Sequence, residues 1–273
     1  MQCKISNAIK LKYTPVGLLW SDQKPEKAIQ FKEGKWGCIM WLVAGAAKGK
    51  AGICDRKTFG CPGGGVGVGF GNQYKNFPGG EECFCHFLSY GNAQWDQGRQ
   101  VAEQVKPFVR EEMYDNLLHG ERYIKSPDLV KNFIECIPIT DIPAEYVIFK
   151  PIDEINLKQE KPKVIIFFAN PDQLSALVVL ANYGRPGNEN VIIPFAAGCQ
   201  TIGIYPYQEA SSQIPRAVVG LTDLSARVYI RQQLESNLMT FTMPLTLFEE
   251  MESNVENSFL ERHTWQNLLK EKE

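Results

Sequence analysis

Ala176–Cys199 reads ALVVLANYGRPGNENVIIPFAAGC, and Cys38–Cys61 reads CIMWLVAGAAKGKAGICDRKTFGC. Laid over each other without a gap, apolar Ile39–Val43 falls on Leu177–Ala181. Gly49 falls on Gly187, Gly60 on Gly198 and Cys61 on Cys199. Upstream, VGLLWSDQ from Val16 matches IIFFANPDQ from Ile165. Downstream, Tyr123-Ile-Lys matches Tyr229-Ile-Arg, and Pro138-Ile-Thr matches Pro244-Leu-Thr. Matches in one order along two halves point to an internal duplication.

The second half reads more clearly. Val164–Ala169 is a continuous apolar run of strand length. Asn170 is placed to cap a helix that starts at Pro171 and runs to about Tyr183, where Gly184 stops it. Val191–Ala196 and Arg216–Leu221 read as strands. Thr222 or Asp223 then caps a helix to about Ser236, and Leu238–Met243 is a last strand. The expected fold class is therefore α+β. It has two β-α-β-β-α-β, ferredoxin-like halves related by a pseudo-two-fold, at 11–150 and 160–250 and fused into one structural domain. A C-terminal helix at 251–273 follows.

The chain has 273 residues, 29 Lys+Arg against 31 Asp+Glu, and 44% hydrophobic residues. That composition excludes disorder and fibrous folds, and a net charge of -2 gives no electrostatic basis for nucleic-acid binding. The N-terminus has no apolar signal region, and the apolar runs are too short to span a membrane. The expectation is a cytoplasmic protein, compatible with a homo-oligomer, without nucleic-acid or membrane partners. Eight cysteines in such a chain point to buried thiols, metal ligands or redox chemistry rather than structural disulfides.

Gly60–Gly71 reads GCPGGGVGVGFG. As a strand, its alternation puts Val66, Val68 and Phe70 on one face and bare glycine backbone on the other. That face is either a tight sheet contact or a ligand cradle formed by Gly63, Gly64, Gly65 and Gly67. Neither dinucleotide nor P-loop spacing is present. Lys48 and Arg185, in equivalent loops, would supply cations for an anionic ligand, or else are solvated loop charges. Cys54, Cys61, Cys83 and Cys85 lie within 32 residues, and on a strand Cys83 and Cys85 would share a face. Thiolates of Cys38, Cys61, Cys83, Cys85 and Cys199 are the candidate ligands for zinc or an iron–sulfur cluster. The competing reading is that these cysteines are core packing. Cys61 and Cys199 coincide under the duplication, each after a glycine, and are the candidate catalytic thiols. Activation would need a nearby cation or helix N-terminus; Arg56 and Lys57 are near Cys61 in sequence, and Arg216 is a looser candidate for Cys199. Trp20, Trp36, Trp41 and Trp95 are expected in the core.

Thr14-Pro-Val-Gly, Cys38 with Ala47-x-x-Gly49, Cys61-Pro-Gly-Gly with Gly69-Phe, Gly198-Cys199 and Pro244-Leu together resemble domain-of-unknown-function family 169, DUF169, over about residues 11–250. The resemblance implies a fold shared with proteins common in archaea and anaerobic bacteria, and no assigned catalytic residue. It also implies that Cys38, Cys61 and Cys199 stand where the family pattern has cysteine. Cys54, Cys83 and Cys85 lie outside the matched pattern. Function is therefore expected to be thiol-dependent: a metal, cluster or redox protein serving a redox partner or small molecule. The alternative is a non-catalytic small-ligand-binding protein using the glycine-rich segment.

Overall fold

The computed structural model describes residues 3–270. Two compact units divide them. Residues up to Phe70 together with Thr140 onward make the first, and Gly71–Ile139 makes the second. Residues 71–139, within the expected first half at 11–150, thus form a unit of their own.

In chain order the first unit begins with α1 (Lys4–Ala8), β1 (Val16–Ser21), α2 (Ile39–Ala47), β2 (Gly52–Asp55) and α3 (Pro62–Val68). The second unit holds α4 (Gly80–Leu88), α5 (Asp96–Val105), α6 (Glu111–His119) and α7 (Pro127–Cys136). The chain returns through β3 (Tyr146–Pro151), β4 (Val164–Ala169), α8 (Pro171–Tyr183), β5 (Val191–Ile192), α9 (Gly198–Ile202) and α10 (Ile204–Ala210). It ends with β6 (Ala217–Gly220), α11 (Leu224–Ile230), β7 (Met239–Pro244), α12 (Leu245–Ser253) and α13 (His263–Lys270).

All seven strands join one sheet in the order β2-β3-β1-β4-β7-β6-β5. β4 lies at its centre, antiparallel to β1 and β7, with Ile166 opposite Val16 and Phe167 opposite Phe241. Every residue of β4 is buried, because helices cover both faces of the sheet. Val164, Ile166 and Phe168 meet the core under α2 and α11. Ile165, Phe167 and Ala169 meet the core under α8 and α12. A strand buried on both sides reads as an unbroken apolar run, which is why it was visible in sequence.

The α8 reading holds in detail. Asn170 accepts from the Gln173 amide at 3.0 Å while the Gln173 side chain accepts from the Asn170 amide at 3.0 Å, with Pro171 in the first turn. Other expectations change. Val191–Ala196 pairs only through Ile192, since Pro194 lacks the ladder donor. The helix after Asp223 stops at Ile230 rather than Ser236. The C-terminal helix is two helices, interrupted between Ser253 and His263, and its residues 271–273 lie outside the described residues.

The mixed α and β composition stands, and the ferredoxin-like duplication is not confirmed. In a split β-α-β unit the second and third strands form an antiparallel hairpin. Here β5 and β6 run parallel, with α9 and α10 between them. The aligned helices α2 and α8 lie on opposite faces of the sheet. Tyr229 falls in α11, whereas its match Tyr123 falls in a helix-free stretch of the second unit. The sequence matches are therefore not confirmed as a structural repeat.

The glycine-rich segment is the sharpest correction. Pro62–Val68 is a helix, not a strand. Pro62 fixes its first turn, the Cys61 sulfur accepts from the Gly64 amide, and left-handed Gly69 (φ 97°) closes its end with its amide on the Gly65 and Val66 carbonyls. Alternation of valine and glycine mimics a strand period, but the caps at both ends decide the conformation.

Candidate functional site

Three of the eight cysteines converge, and glycine makes the convergence possible. Gly60 has φ 81°, and a Cβ there would lie 2.4 Å from the Gly37 carbonyl oxygen. That backbone contact sets the next residues, Cys38 and Cys61, beside each other at the starts of α2 and α3. A Cβ on Gly67 would lie 2.6 Å from the carbonyl carbon of Cys199, so α3 and α9 touch backbone to backbone. The Cys199 thiol then donates to the Gly63 carbonyl at 3.1 Å, while the Cys61 sulfur accepts from the Gly64 amide at 3.3 Å. Thiols 138 positions apart thus address consecutive residues of one helical turn.

Asp223 completes the cluster. Its Oδ1 accepts from the Ala226 amide at 3.1 Å, the N-cap of α11, and its Oδ2 accepts from the Gly198 amide at 3.2 Å. One carboxylate therefore ties the starts of α9 and α11 together. Leu221, two residues earlier, is buried with φ 62°, a left-handed conformation uncommon for a branched side chain.

The electrostatics keep Cys38 and Cys199 protonated. Burial pushes the Cys38 thiol up to about 12, with negative charge at Cys61 adding to it. Burial likewise pushes Cys199 well above the ordinary thiol value, and charge on Cys61, Cys38 and Asp223 raises it further. Negative charge on a neighbouring sulfur therefore opposes deprotonation of Cys38 and of Cys199. Cys199 is buried, whereas Cys38 and Cys61 are half-buried. The cations expected to help are engaged elsewhere. Arg56 donates to Asp141 at 2.7 Å and to the Ile142 carbonyl at 3.0 Å. Lys57 pairs with Glu33 at 3.6 Å, and Arg216 with Glu209 at 2.7 Å.

The remaining candidates separate from this cluster. Cys83 and Cys85 lie on α4 of the second unit. Two positions apart on a helix they diverge rather than share a face. Burial, then Glu82 for Cys83 and Glu81 for Cys85, pushes both thiols up to about 11. Cys54 is fully buried in β2. Among the described residues, no group of three or more His, Cys, Asp or Glu side chains is disposed to hold a metal ion. Gly63, Gly64, Gly65 and Gly67 are turns of α3, and a Cβ on Gly64 would meet the Phe59 carbonyl oxygen at 2.6 Å. At Gly64 and Gly67 the expected cradle is thus occupied by protein.

Lys48 donates to Gln233 at 2.8 Å. Arg185 is clamped between Glu250 and the Pro215 carbonyl, its side chain 9% exposed, so it is a structural ion pair and not a ligand cation. Trp36 and Trp41 are exposed, contrary to the expected core placement. Trp20 is half-buried, edge-on to Tyr207 at 4.9 Å.

Sequence reasoning missed two participants. Asp223 was read only as a cap for its own helix, and its second acceptor role at Gly198 depends on the tertiary approach of α9. Gly37 passed unremarked, although a signal existed: Gly37-Cys38, Gly60-Cys61 and Gly198-Cys199 repeat one dipeptide.

Fold and site together define an α/β protein with one mixed seven-stranded sheet and a cluster of three thiols at its helix starts. The chain belongs to the DUF169 family, described as Uncharacterised ArCR, which it matches over residues 4–254. No curated protein and no solved structure matches it. No helix among the described residues is long and apolar enough to cross a membrane.

Proposed function

We propose that this chain is a thiol-redox protein whose working pair is Cys61 and Cys199, with Cys38 as a third thiol beside them. The observation that carries the reading is the meeting of both sulfurs on one turn of α3, one on Gly63 and one on Gly64. Half-buried Cys61 is the attacking group and buried Cys199 the resolving one. The Cys61 thiolate attacks a substrate disulfide, forming a mixed disulfide and expelling one substrate thiolate. Cys199 passes its proton to that leaving thiolate and attacks the Cys61 sulfur, which releases the second substrate thiolate. The substrate disulfide gains two electrons, and the Cys61–Cys199 pair loses them. Supporting the redox reading over a metal one, no group of three or more His, Cys, Asp or Glu side chains among the described residues is disposed to hold a metal ion.

The test exposes anaerobically purified, reduced protein to oxidised glutathione, with disulfide mapping by mass spectrometry. Metal content is measured on the same preparation. The wild type is expected to yield a Cys61–Cys199 disulfide, C199S a trapped glutathione adduct on Cys61, and C61S neither. Absence of both products overturns the proposal. So does stoichiometric metal that disappears in a folded C61S/C199S variant, which would make the cluster a metal site.

A further inference from the structure

Helix α3 has the sequence PGGGVGV. Glycine is the poorest helix former after proline, and four of the seven residues are glycine. A helix this short and this unfavourable holds its shape through its ends and its contacts. Both thiols of the working pair supply such contacts. The Cys61 sulfur accepts from the Gly64 amide, and the Cys199 thiol donates its proton to the Gly63 carbonyl. The Gly64 amide is one of the first-turn amides that lack a partner inside the helix, and the Gly63 carbonyl takes the Cys199 proton in addition to its own place in the helix.

We propose that the Cys61–Cys199 pair is a redox latch on α3, so that forming the disulfide releases the first turn of that helix. This inference rests on the thiol-redox reading above. Oxidation removes one proton and one electron from each thiol, and an external disulfide takes up both electrons and leaves as two thiols. The proton that Cys199 donates to Gly63 is then gone. The Cys61 sulfur, turned toward Cys199, leaves the Gly64 amide. Pro62 and the Gly69 cap remain, so the loosening is confined to the N-terminal half. The reduced protein has an ordered α3 carrying the half-buried Cys61, and the oxidised protein presents the same segment unlatched. A partner that binds one form discriminates redox state by backbone order.

Hydrogen exchange on the full chain tests this, read by mass spectrometry on peptides covering residues 62–69 in the reduced protein and after oxidation with oxidised glutathione. Exchange in that segment is expected to rise at least tenfold on oxidation of the wild type. In C199S, where a serine hydroxyl still donates to Gly63, it is expected to stay slow with or without oxidant. A mapped Cys61–Cys199 disulfide with unchanged exchange overturns the latch and leaves the thiol-redox reading standing. Failure of the disulfide to form overturns the redox reading and the latch with it. Loss of protection in β4 at the same time overturns the latch too, because oxidation would then unfold the sheet rather than one turn.

Discussion

Asp223 bonds two amides that start two helices, Gly198 and Ala226. An N-cap acceptor contributes about 0.5–2 kcal/mol, and here one side chain serves two helix starts. Asp223→Ala is therefore expected to lower unfolding stability by about 2 kcal/mol, read as a shift in the urea midpoint with an unchanged slope. A change below the measurement error would show that α9 is positioned without it.

Glu235 is a second residue whose charge matters. The Lys12 ammonium first, then the Tyr13 hydroxyl at 2.6 Å, hold its carboxyl at about 2, below the ordinary 4.5. A carboxylate with a depressed folded value stabilises fully above its unfolded value. That contribution is lost as pH falls from about 4.5 through about 2. The side chain is 40% exposed, so the effect is small and screened by salt. Glu235→Gln is expected to flatten the stability-against-pH curve in that window alone. Identical acid limbs for variant and wild type would refute the assignment.

At the scale of elements, β4 and α3 make opposite demands. Phe167 is fully buried in β4, opposite Phe241 and 6.2 Å from the Phe248 ring. Truncation to alanine opens a cavity between sheet and helices, and Phe167→Ala is expected to cost about 3–5 kcal/mol in equilibrium denaturation. On α3 the sensitive change is an addition. Gly67→Ala would place a methyl 2.6 Å from the Cys199 carbonyl carbon, a backbone atom that cannot swing aside. Overpacking of this kind costs about 1–3 kcal/mol. Because it pushes α9 off α3, G67A is also expected to slow formation of the Cys61–Cys199 disulfide. A variant that crosslinks at the wild-type rate would show the two helices adjust freely.

Across the whole molecule, strand position ranks local stability. β1, β4 and β7 are paired on both sides. β2 and β5 are the sheet edges, and β5 holds only two residues, both half-buried. Amides in the paired central strands are expected to exchange only through global unfolding, and those of β2 and β5 through smaller openings. Native-state exchange across a denaturant series checks the order. A merged isotherm for centre and edge would mean that the sheet opens as one unit.

Much of this protein was determined by sequence. The β4 run, the Asn170–Gln173 capping box and the Asp223 cap depend on residues within a few positions of one another, where local sterics and hydrogen bonding suffice. The convergence of Cys61 and Cys199 on α3 was also marked by matching Gly-Cys dipeptides. Tertiary structure decided the rest. The parallel β5–β6 crossover and the opposite-face placement of α2 and α8 depart from the repeat that the matched letters suggested. The alternation in PGGGVGV pointed to a strand, because a period of two in seven residues does not reveal which end groups will be satisfied. The caps at Cys61 and Gly69 and the backbone of α9 satisfied them as a helix. The second bond of Asp223 and the close backbone approach of Gly60 to Gly37 beside Cys61 and Cys38 join residues far apart in sequence, and only the closing of the fold brings them together.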